Sequence, residues 1–188
     1  MKYLLFLFIL SSSIHQSFAQ QTSEVDQFWS SLQALCGTSY QGTLELPEND
    51  PQFAGKKLVM HVRSCSDTEI KVPFFVGDDR SRTWVFTKQN NRITLKHDHR
   101  HKDGTEDEIT MYGGTTTNSG QASLQVFPAD EETQTMIPAA SGNVWWVTID
   151  QSIFTYNLRR LGTERVFRIS FDLSAPIENP APPWGWKE

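Results

Sequence analysis

The stretch Ile93-Thr94-Leu95-Lys96-His97-Asp98-His99-Arg100-His101 decides the fold. Its residues alternate strictly in character, and in a strand successive side chains face opposite sides. Ile93 and Leu95 share the parity of His97, His99 and His101, while Arg92, Lys96, Asp98 and Arg100 share the other. The stretch is therefore a strand with one apolar face, and three imidazoles continue that face where more aliphatic side chains are expected. Lys102-Asp103-Gly104-Thr105 follows and suits a three-residue turn with Gly104 left-handed and a bulge. The expected pairing sets His101 opposite Thr105, Arg100 opposite Glu106, His99 opposite Asp107, His97 opposite Ile109 and Leu95 opposite Met111.

Upstream, Gln89-Asn90-Asn91 is a tight hairpin signal. It joins this strand to Arg82 through Lys88, whose Trp84 and Phe86 face inward. Further back, strands are expected at residues 69–76 (Ile70, Val72, Phe74 and Val76 inward), 57–64 (Leu58, Met60 and Val62 inward, His61 outward) and 40–46. Before them Ser23 to Leu35 reads as a helix. Ser23 with Asp26 resembles a capping box, and Val25, Phe28, Trp29, Leu32 and Leu35 form one apolar stripe.

Downstream, strands are expected at 108–113 (Ile109 and Met111 inward), 121–127 (Ala122, Leu124 and Val126 inward), 143–150, 152–160 and 165–173, with a short helix opened by Asp130-Glu131-Glu132. Trp145-Trp146 puts one ring inside the wall and one outside. The segment 113–120 is expected to be an irregular connection. Ten strands joined by short turns form a meander, and closing it removes exposed edges. The expected architecture is all-β: a closed antiparallel up-and-down barrel of about ten strands with the one N-terminal helix across a mouth.

The chain opens Met1-Lys2, runs through an apolar block from Leu4 to Leu10 and reaches Ser17-Phe18-Ala19. This is the pattern of a secretory signal peptide, too short for a membrane span, with cleavage expected after Ala19. Residues 1–19 are thus a leader, 20–174 the barrel domain and 175–188 a tail rich in Pro and Trp. The expected setting is exported, periplasmic or secreted, without a membrane anchor. Loss of Lys2 with the leader leaves sixteen basic against twenty-two acidic residues, net −6. That balance argues against nucleic acid as the main partner. Two cysteines, Cys36 and Cys65, in an oxidising compartment favour one disulfide. Closing about thirty residues, it stabilises by about 3–4 kcal/mol in the chain-entropy model.

Leu32-Gln-Ala-Leu-Cys-Gly37-Thr38-Ser-Tyr40-Gln-Gly42-Thr43 resembles the helix, Gly-Thr, aromatic, Gly opening of calycin-type barrels, the lipocalin and fatty-acid-binding-protein superfamily. Tyr40 stands where those proteins usually have Trp. The whole chain, with Lys-His-Asp-His-Arg-His and its closing Trp-Gly-Trp, is also similar to small exported bacterial proteins of unassigned function. The resemblance implies an exported barrel and carries over no catalytic residue.

Three uses of the histidines compete. As metal ligands, His97 and His99 lie about 7 Å apart along one strand, close enough to share a divalent transition metal with Asp107 as third ligand. As part of a binding pocket, His97, His99, His101 and Asp107 are the polar handles above an apolar floor that includes Trp84 and Tyr156, suited to a small, partly apolar ligand. As structural groups, they cap the core and meet water. Nucleophilic catalysis lacks a motif, and a His99/Asp107 acid–base pair is the third-ranked reading. The interior ligand is the leading expectation.

Overall fold

The computed structural model describes residues 22–186. The leader and its cleavage position lie outside them. Eleven strands form one antiparallel sheet: β1 Ser39–Leu46, β2 Leu58–His61, β3 Ser64–Cys65, β4 Glu69–Val76, β5 Asp79–Gln89, β6 Arg92–His99, β7 Tyr112–Thr115, β8 Leu124–Pro128, β9 Asn143–Ile149, β10 Ile153–Arg160 and β11 Val166–Ile177. Their spatial order is β7-β6-β5-β4-β2-β1-β11-β10-β9-β8, with the short β3 beside β4. Neighbours in sequence are neighbours in space, and the first and last strands pair with each other, so the sheet curls into a ten-strand barrel. Its one unpaired seam falls between β7 and β8.

That seam is closed by other means. Helix α2, Glu131–Met136, is capped by Asp130. Its buried Thr133 hydroxyl donates to the Gly113 carbonyl and accepts from the Gly113 amide. The Asp130 amide donates to the same carbonyl. Gly114 approaches the Pro128 carbonyl so closely that a Cβ would collide with it. Outside, Lys96 pairs with Asp130 and Glu132, both at 2.7 Å. A 3-10 turn, Pro138–Ala140, follows.

Helix α1, Glu24–Gln33, is capped by Ser23, whose hydroxyl accepts from the Asp26 amide and donates to its carboxylate. It buries Val25, Phe28, Trp29 and Leu32 in the barrel core. Asp26 pairs with Lys88 and Glu24 accepts from the Ala122 amide. Both partners lie near the β5–β6 turn, so α1 covers that mouth and leaves the other to the histidines. Cys36 and Cys65 form the expected disulfide, joining the chain after α1 to β3. Among the described residues no helix is long and apolar enough to cross a membrane.

Alternation holds along β6: Ile93, Leu95 and His97 are buried while Thr94, Lys96 and Asp98 are not. The Asn90-Asn91 turn has both residues left-handed, which suits a two-residue hairpin. Several expectations are corrected. The expected strand 108–113 is mostly absent; Ile109 and Met111 are exposed at 45% and 39%. Arg100 does oppose Glu106, and the His101 amide donates to Thr105. Beyond there, however, His97 pairs with Tyr112 and Leu95 with Gly114, three residues later than expected. The excess is thrown out as a loop ending at Met111, which is left-handed. The supposed irregular connection at Gly113 and Gly114 is strand, because only glycine fits against the Leu95 and Pro128 carbonyls.

In β8 the parity is opposite to expectation: Gln125 and Phe127 are buried, and Val126 is exposed. His61 is 3% exposed, not a surface residue. Its strand is buried on both faces because the C-terminal segment crosses the outer wall there. Asn179 bonds Ser39 and Gly37, the Trp184 amide donates to Arg80, and Trp186 lies against Arg63. The barrel domain also runs past 174, since β11 continues to Ile177 opposite Ser39.

Candidate functional site

At the mouth opposite α1 the interior opens into a cavity of about 240 Å³. Its floor is aromatic. Trp84 stacks on Tyr156 with ring centroids 4.3 Å apart and 7° between planes, and on Phe74 at 4.9 Å and 13°. Phe167 meets Tyr156 edge-on, and Phe53, from the loop between β1 and β2, packs on Phe167 at 4.7 Å. Trp84, Phe74, Tyr156 and Phe167 converge because each occupies the inward parity of its strand, and Phe53 reaches them from its loop.

His97 stands at the back of this chamber, 4% exposed. One ring nitrogen, Nδ1, is 2.9 Å from the Tyr112 carbonyl, and Nε2 is 2.6 Å from the Tyr156 hydroxyl. A carbonyl only accepts, so Nδ1 carries the proton and donates. Nε2 is then bare, and the Tyr156 hydroxyl donates to it. The ring also stacks on Tyr112 at 4.7 Å. Burial drives its pKa down to about 3, which outweighs the support of the Tyr112 carbonyl. His97 is neutral, with both nitrogens engaged inside the protein.

His99, one pleat nearer the mouth, is partly buried, and its Nε2 lies 3.1 Å from the Tyr112 hydroxyl. Burial lowers its pKa first, and the charge of Arg82 second. Burial raises the Tyr112 phenol to about 12 and the Tyr156 phenol well above its ordinary value. Both hydroxyls stay protonated and neutral.

Of the residues expected at the site, the chamber brings together Trp84, His97, His99 and Tyr156. His101 and Asp107 do not line it. His101 is exposed beside the turn, and the Asp107 carboxylate accepts from the Ile109 amide within its own loop. The outward loop that follows Glu106 is the reason. The expected metal set of His97, His99 and Asp107 is therefore not assembled. Among the described residues no three His, Cys, Asp or Glu side chains are placed to hold a metal ion.

The chamber also holds residues that the sequence reading passed over: Tyr112, Trp145, Asn143, Arg82, Arg160 and Arg165. Parity could have found most of them. Arg82 continues the inward series of Trp84 and Phe86, Arg160 that of Tyr156 and Leu158, Arg165 that of Phe167 and Ile169, and Asn143 that of Trp145 and Val147. Tyr112 was hidden by the three-residue offset of its strand. No family model, no curated protein and no solved structure matches the chain, and a barrel shape by itself does not make it a calycin.

Proposed function

We propose that this protein binds a small, partly apolar molecule inside the barrel, and that it does so as an exported protein. The observation that carries the reading is the chamber itself: stacked aromatic faces at its floor, polar groups at its rim, and a mouth left open on the side away from α1. Concave, mostly apolar sites with a few placed polar groups are the usual form of a small-molecule pocket. Both His97 nitrogens are satisfied within the wall, so the histidine acts as part of the scaffold that fixes Tyr156 and Tyr112. His99 and the Tyr112 hydroxyl present polarity to the occupant. The disulfide and the leader-like start support the exported setting.

Native mass spectrometry of protein purified without denaturation tests this. The expected result is a stoichiometric organic adduct that is lost in Leu158→Trp, which extends a side chain into the empty volume while the far-side α1 contacts remain. An adduct retained in a folded Leu158→Trp protein places binding elsewhere and contradicts the reading. Elemental analysis of the same sample decides against the metal alternative if no stoichiometric metal is found.

A further inference from the structure

We infer that the molecule held in this chamber is an organic acid, an apolar ring or branched body carrying one carboxylate, with the acid group at the mouth between Arg82, Arg160 and Arg165. The inference rests on the chamber being a binding site and names the chemistry of its occupant. Eighteen residues line the cavity; three are arginines and none is aspartate or glutamate. This occurs in a chain whose net charge is −5, so the cationic mouth runs against the overall balance. The arginines arrive from three separate positions, at β5, at the end of β10 and just before β11. All three share the inward parity of the aromatic residues behind them.

Their present partners leave room for an anion. Arg82 pairs with Asp79, an acid outside the lining. Arg160 donates through Nε to the neutral amide oxygen of Asn143 at 2.8 Å. Among the described residues no carboxylate pairs with Arg160 or Arg165. The positive charge reaches the interior: Arg82 and Arg165 both act on the Tyr112 phenol, and Arg165 also acts on Tyr156. His97 and His99 are neutral at ordinary pH and add no competing charge. A guanidinium offers a planar fork of donors that matches a carboxylate, and the neutral Tyr112 hydroxyl can donate beside it. The aromatic floor then takes the apolar body. The arrangement separates the two halves of an amphipathic acid along the barrel axis.

The test is isothermal titration of the full-length protein with 1-naphthoate and with 1-naphthalenemethanol, which share the ring system and differ in charge. The acid is expected to bind at least about ten-fold more tightly than the alcohol, the scale of one hydrogen bond to a charged group. In Arg160→Gln with Arg165→Gln that advantage disappears, while the alcohol binds as before, which also shows that the chamber is intact. Arg165→Gln alone, an exposed position, gives the same direction with less risk to the fold. Equal affinity for the two probes, or an acid preference that survives both substitutions, overturns the inference and leaves the chamber as a neutral-ligand site. Binding of neither probe removes the chamber reading and this inference with it.

Discussion

His97 sits where its strand's alternation puts it, and its chemistry is set by burial. Unfolded, the ring takes a proton near pH ~6.5; folded, it resists until about pH 3. Between those values the unfolded chain binds a proton that the native state refuses, so stability is complete above ~6.5 and falls as pH is lowered through the window. One such group contributes a slope of up to ~1.4 kcal/mol per pH unit. His61 and His99, also lowered by burial, act in the same direction. Urea unfolding at pH 5 and 6.5 should give a smaller stability difference in His97→Gln than in the wild type, by about one proton's worth. An unchanged slope would mean that His97 is already protonated in the native barrel. The inward direction of this ring was legible from Ile93 and Leu95. Its two internal partners were not, because Tyr112 and Tyr156 are fifteen and fifty-nine residues away.

At the scale of elements, the β6–β7 connection separates what local rules reach from what they do not. The turn at Lys102-Asp103-Gly104 forms as its residue types dictate, and Gly104 is left-handed. Past Glu106, apolar alternation favoured Ile109 and Met111 as core, but two glycines that can enter a crowded seam won the register. At Gly113 and Gly114 any side chain meets a backbone carbonyl, that of Leu95 or of Pro128. The same competition explains β8, where buried Gln125, bonded to the Ser119 and Gln121 carbonyls, takes an inward position that hydropathy would assign to Leu124 or Val126. Gly114→Ala should therefore open the seam and cost several times more than Ile109→Ala. The latter is expected within about 0.5 kcal/mol of wild type, as for ordinary surface changes. Thermal unfolding of the two variants checks this, and comparable losses would restore the register in which Ile109 faces the core.

For the whole molecule, the meander of short turns and the single-faced helix were enough to foresee a closed barrel with one mouth covered. The strap along its outer wall was not foreseeable, since Asn179 and Trp184 act on residues more than a hundred positions away. The core spans from α1 to the chamber. Phe171, fully buried and edge-on to Trp84, Phe74 and Phe154, ties these regions together. Phe171→Ala should cost about 3–5 kcal/mol in denaturant unfolding, and a loss under about 1 kcal/mol would show that this face of β11 is not core.

The six tryptophans report on separate places in the barrel. Trp84 and Trp145 line the chamber, Trp29 belongs to the buried face of α1, Trp146 faces outward on β9, and Trp184 and Trp186 belong to the strap. Nitrogen-15 spectra of the indole N–H groups, followed while a naphthalene probe is added, read out the location of binding in one titration. The account predicts that the Trp84 and Trp145 signals move and the other four hold still; movement confined to Trp29, Trp146 or the strap indoles would contradict it.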